Sequence, residues 1–116
     1  MKVKLGCQHF KIGGRNMNSK IKDENLDFLF KAILSLDNIE ECYNFFEDLC
    51  TIAEIKAMSQ RLHVAKMLRG HHVYSDIVAQ TGASTATISR VNRCLNYGSD
   101  GYNIVLNRCE NDPEKK

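Results

Sequence analysis

Two segments with apolar stripes meet at Gly82, and this junction constrains the fold more than any other feature of the chain. Residues 74–95 read YSDIVAQTGASTATISRVNRCL. Ile77 and Val78 precede the glycine, and Ile88, Val91 and Leu95 follow it at helical spacing. Glycine takes the left-handed backbone conformation without a Cβ clash, so it can end the first helix. Ser84, two residues on, is placed to cap the second by accepting a freed backbone N–H. Thr85, Ala86, Ser89, Arg90 and Arg93 fall outside the second stripe, with short side chains first and cations later. That pattern suits a helix-turn-helix, whose second helix enters the DNA major groove by its N-terminal residues. An ordinary helical hairpin is the competing reading.

At 116 residues the chain is expected to form one domain with a modest core. Its formal charge of +2 is weak, so attraction to nucleic acid must come from a local patch. The five cysteines, Cys7, Cys42, Cys50, Cys94 and Cys109, are odd in number and contain no Cys-x-x-Cys spacing. Free thiols and a cytoplasmic setting are expected. There is no secretory signal and no apolar run long enough to span a membrane. Residues 1–16 carry five basic residues and no acid. They are either a flexible basic arm or a non-native extension preceding a start at Met17, because Gly13-Gly14-Arg15-Asn16 could be a purine-rich ribosome-binding site read through. Residues 17–24 form a lead-in, 25–108 the helical domain and 109–116 a fraying tail.

Helical periodicity begins near Asn25, with Leu26, Leu29, Phe30, Ile33 and Leu36 on one stripe and Phe28 off it. Asn38 and Glu41 form a capping-box pattern for a second helix striped by Ile39, Cys42, Tyr43, Phe46, Leu49 and Cys50, with Phe45 off the face. Aromatics on two sides of both helices exceed what a small monomer buries, which points to a second subunit. Thr51 and Glu54 open a third helix that should end at Gly70, with Ile55, Met58, Leu62 and Ala65 inward and Lys56, Gln60 and Lys66 wet. His71 and His72 are read as turn residues. Gly98 should end the reading helix, and Asp100 should cap a last helix carrying Tyr102, Val105 and Leu106. No residue set offers credible catalysis, and Cys7-x-His9 lacks a partner pair for metal, so neither enzyme activity nor a metal or cofactor is expected.

From Leu26 to Leu106 the order of these features resembles the Trp repressor family, and more closely its YerC/YecD-type members. The resemblance rests on Met67-Leu68-Arg69-Gly70 and on Gly82-Ala83-Ser84-Thr85-Ala86-Thr87-Ile88-Ser89-Arg90. It implies an all-α, six-helix fold with a helix-turn-helix, built as an intertwined homodimer that binds double-stranded operator DNA as a transcriptional regulator. The DNA-contacting candidates are Ser75, Ser84, Thr85, Ala86, Thr87, Ser89, Arg90 and Arg93. Thr85, Ala86 and Ser89 match positions that meet base edges, largely through water. Ser75 stands where the repressor has an arginine. The family's effector pocket would map to Arg61, Arg90, Val91 and Cys94, with Arg61 within a residue of its counterpart. Val91 and Cys94 replace a glycine and a serine, so tryptophan independence is expected, with Val91 acting as a plug or as part of the hairpin core. A protein-interaction module and a small RNA-binding regulator remain the alternatives. Steep salt dependence separates DNA binding from the first. The outer face lacks the exposed aromatics that RNA recognition normally uses.

Overall fold

The computed structural model describes residues 23–111. Among them are six α-helices and no strand. These are α1 (Glu24–Leu34), α2 (Ile39–Leu49), α3 (Ile52–Arg69), α4 (Tyr74–Thr81), α5 (Thr85–Tyr97) and α6 (Gly101–Glu110). The described residues fall into two compact units that divide between Leu49 and Cys50. The reading of residues 1–16, including Met17 as a start, lies outside the described residues.

In the first unit, Asp23 caps α1 by accepting from the Leu26 N–H at 2.6 Å. Asn38 caps α2 by accepting from the Glu41 N–H at 2.8 Å. The return bond of that box is shifted by one residue, since Glu41 Oε1 accepts from Asp37 N at 2.9 Å. Neither helix buries a single side chain. Leu26, Leu29, Ile33, Phe45 and Phe46 are half-buried, while Phe28 is 73% exposed and Tyr43 67%. Two helices of 11 residues each, with apolar surface of this extent uncovered, lack the burial that stabilises a folded unit.

The second unit has a core of Val64, Ala65, Met67, Ile77, Ala83, Ile88, Val91 and Leu106, with Leu68, Leu95 and Tyr102 packed against it. The C-terminal half of α3 is its axis and packs against α4, α5 and α6. Thr51 and Glu54 form the full reciprocal capping box at the start of α3. The inner stripe of α3 differs from the sequence expectation. Of that set Ala65 is buried and Ile55 half-buried, whereas Met58 is 38% exposed and Leu62 41%. Val64 and Met67 take the core positions instead. Apolar residues surround α3 on more than one side, so periodicity alone leaves open which face meets its own chain.

α3 ends at Gly70 and His71 and His72 lie in the turn, as expected. Gly70 follows α3 at φ −83°, and the left-handed residue is His71 at φ 65°. Gly70, His71 and His72 all donate their N–H groups back to the last carbonyls of α3. At the far end, α6 continues through Cys109 and Glu110, past the point where fraying was expected. Asp100 precedes α6 in a left-handed conformation but makes no side-chain cap bond to the helix backbone. Its carboxylate instead accepts from Asn103 Nδ2 at 2.9 Å.

Candidate nucleic-acid interface

The junction between α4 and α5 is fixed by local chemistry. Gly82 sits at φ 75° and donates its N–H to Val78 O at 2.9 Å, ending α4. A Cβ at Gly82 would meet nothing within 4 Å, so the requirement for glycine is conformational rather than steric. Thr81 Oγ1 donates to Ile77 O at 2.7 Å and accepts from Ala83 N at 3.0 Å. Gln60 of α3 donates to Thr81 O at 3.1 Å, tying the turn to the long helix. From sequence Gln60 is expected in solvent, yet it is half-buried. It lies four residues before buried Val64 and therefore on the same helix face, which is the signal that locates it.

Ser84 opens α5 as its N-cap. Its Oγ accepts from Thr87 N at 3.1 Å and donates to Thr87 Oγ1 at 3.2 Å. These two hydroxyls serve the cap, so they differ in role from their neighbours. Thr85, Ala86, Ser89, Arg90 and Arg93 are all exposed. Ile88 and Val91 are fully buried on the other side of α5. Ser75 is exposed on the first turn of α4.

The electrostatics favour an anion along this face. From Thr85 to Tyr97, α5 contains Arg90 and Arg93 and no acidic residue. Its N-terminal dipole is therefore not neutralised by its own first turn. The weak overall charge hides a segregation along the chain. Residues 23–49 hold eight acids against one lysine, whereas residues 50–111 hold seven Lys or Arg against four acids.

Val91 is 1% exposed and belongs to the core, while Cys94 is half-buried. Arg90 is exposed and Arg61 half-buried. Cys42, Cys50, Cys94 and Cys109 are free thiols. Among the described residues no cluster of His, Cys, Asp or Glu could hold a metal ion. No described helix is long and apolar enough to cross a membrane.

A network missed in the sequence joins α3, α5 and α6. Arg69 Nη1 donates to Asn103 O at 3.3 Å, and Arg69 Nη2 donates to Asn107 Oδ1 at 2.6 Å. Asn103 Nδ2 in turn donates to Leu95 O at 3.2 Å, near the end of α5. Arginine within Leu-Arg-Gly thus fixes α6, which braces the far end of the helix that bears Arg90 and Arg93.

Comparison with known proteins gives this arrangement its relatives. Residues 24–110 match the family profile of the Trp repressor protein. The protein YerC of Bacillus subtilis is 60% identical over 89 residues, covering 77% of this chain and 86% of YerC. The crystal structure of a TrpR-like protein from Eubacterium eligens superposes with a TM-score of 0.78 at 60% identity, covering 81% of this chain and 97% of that one. A candidate Trp repressor from Staphylococcus aureus gives a TM-score of 0.78 at 51% identity, covering 83% and 96%. The all-α architecture expected from the sequence is the architecture of these structures. The chain belongs to the Trp repressor protein family.

Proposed function

We propose that this protein is a sequence-specific, double-stranded DNA-binding transcriptional regulator that works as a homodimer. The observation that carries the reading is the outer face of α5. Five outward side chains begin small and end cationic, on a helix without acids, immediately after a turn that glycine and a serine cap fix in place. In a groove, Thr85, Ala86 and Ser89 would approach base edges, while Arg90 and Arg93 would reach phosphates. Ser84, Thr87 and Ser75 would contribute at the rim, by backbone N–H or hydroxyl. Family membership supports the same reading, as does the S. aureus relative's description as a candidate Trp repressor.

Dimerisation follows from apolar surface. No side chain of α1 or α2 is buried, and Ile52, Met58 and Leu62 on α3 are uncovered as well. A second copy interleaving its own α1 and α2 would remove this surface from water, at a gain of about 25 cal/mol per Å². Two α5 helices related by a twofold axis then read a pseudo-palindrome with half-sites about 34–36 Å apart. Free cysteines at the described positions suit a cytoplasmic setting.

Regulation does not require L-tryptophan in this reading. Val91 fills core volume where the repressor has glycine, and overpacking a tight apolar site typically costs about 1–3 kcal/mol. The test is fluorescence anisotropy of a labelled duplex across a salt series, with and without millimolar L-tryptophan. Affinity should fall linearly in log–log form with salt and be unaffected by tryptophan. Salt-insensitive binding would favour a protein-interaction module, and strong tryptophan dependence would remove the regulatory part of the proposal.

A further inference from the structure

We infer that the cleft between the C-terminal end of α3 and the end of α6 is an oxyanion site that takes a phosphate group. The cleft has a volume of about 360 Å³ and is lined by His63, Lys66, Met67, Arg69, Gly70, His72 and Glu110. Lys66 and Arg69 bring two basic side chains to it, His63 and His72 two imidazole rings, and Glu110 is the single acid in its lining. This volume lies within the range of small-ligand sites.

The cations are positioned by the fold. Asn103 O and Asn107 Oδ1 hold the Arg69 guanidinium from the α6 side. Two of its five N–H donors are used this way, which leaves a planar fork with a set orientation. Glu110 lies 3.8 Å from Arg69 and is 41% exposed, a loose contact that a bound anion can displace. The left-handed turn at His71 folds His72 back, and its N–H donates to Met67 O at 3.2 Å. The His72 ring then stands so close to Gly70 that a Cβ there would meet its Cδ2 at 3.2 Å. The backbone N–H groups of Gly70 and His72 are spent on α3 carbonyls, so the donors left for a phosphate are the remaining guanidinium N–H groups of Arg69 and the Lys66 ammonium.

A phosphate could arrive on a free small molecule or on the DNA backbone, and only the second source rests on the function proposed above. The experiment uses the full chain and Lys66→Gln, which removes an exposed cation without touching the Arg69 bonds, with Lys56→Gln as a control outside the cleft. Inorganic phosphate is titrated while the backbone amides of Gly70 and His72 are followed by NMR. Duplex affinity is measured in parallel against salt. A free-anion site predicts saturating shifts of those amides, weakened about tenfold or more by Lys66→Gln and unchanged by Lys56→Gln. A backbone-phosphate site predicts no saturation, but a salt slope reduced by about one ion in Lys66→Gln alone. Phosphate binding without any duplex binding would support the cleft and sink the DNA reading. If neither measurement separates Lys66→Gln from wild type, or if Lys56→Gln has the same effect, the inference is overturned.

Discussion

Replacing Val91 distinguishes a packed core from a plugged ligand pocket. Val91 is 1% exposed and packs within the core cluster that includes Ile77, Ile88 and Leu106. Val91→Ala removes two buried carbons, about 0.8 kcal/mol each before any cavity term, so a loss of about 2 kcal/mol is expected. Val91→Gly removes one more carbon and places glycine inside α5, which adds about 1 kcal/mol of helix propensity. The sum of about 4 kcal/mol is a large part of the roughly 5–15 kcal/mol that holds a small domain together. Urea unfolding at fixed protomer concentration measures the change, and duplex anisotropy on the same samples reads function. Both variants should lower the midpoint in the order Gly below Ala below wild type, and neither should acquire tryptophan-dependent binding. A Val91→Gly protein with an unchanged midpoint, whose DNA binding is lost and then restored by an indole ligand, would refute this reasoning. Val91 would then be filling a vacated ligand pocket rather than supporting the hairpin.

Other substitutions probe the turn, the reading face and the exposed helices. Gly82→Ala should cost about 1–2 kcal/mol, the strain of a left-handed residue, since its new methyl meets nothing. Gly98→Ala should be the worse of the two by thermal melting, because its Cβ would lie 2.6 Å from Cys94 O despite an ordinary φ of −89°. Arg93→Ala should weaken binding to every duplex alike and lower the salt slope by about one, whereas changes at Thr85 or Ser89 should alter sequence preference, as read by a panel of duplexes. Ile33→Asp or Phe46→Asp should unfold the protein rather than release a folded monomer, and a compact monomer in sedimentation at micromolar concentration would contradict that expectation.

The α4–α5 hairpin was legible because local chemistry punctuates it. Gly82 is needed for a positive φ, Ser84 for an orphan N–H, and Ile88 and Val91 recur at one helical spacing. Each points to the same geometry without knowledge of distant contacts. The same holds for Thr51 with Glu54. Long-range choices were not legible in this way. Ile55, Met58 and Leu62 form as good a stripe as Val64, Ala65 and Met67, and only the partner packed against α3 decides between them. Gln60 reads as a surface residue until the Thr81 carbonyl, 21 residues away, is placed beside it. The left-handed conformation of His71 belongs to a turn whose three N–H groups return to the carbonyls of α3. The partners of Arg69 lie 34 and 38 residues further on, in α6, beyond the reach of any local pattern. For the site, the outward residues of α5 could be read from periodicity, whereas the division between the Ser84–Thr87 cap and the free side chains needed hydroxyl geometry.

The central claim is that two copies of α5 read a DNA sequence. Selection of bound duplexes from a random pool by the purified full chain tests it most directly. The account predicts enrichment of one pseudo-palindrome whose half-sites are centred about one helical turn apart, with enrichment shifted by Ser89→Ala and weakened without a change of sequence by Arg93→Ala. A pool that remains random after repeated rounds at low salt would contradict it, as would a single-stranded or non-repeated motif.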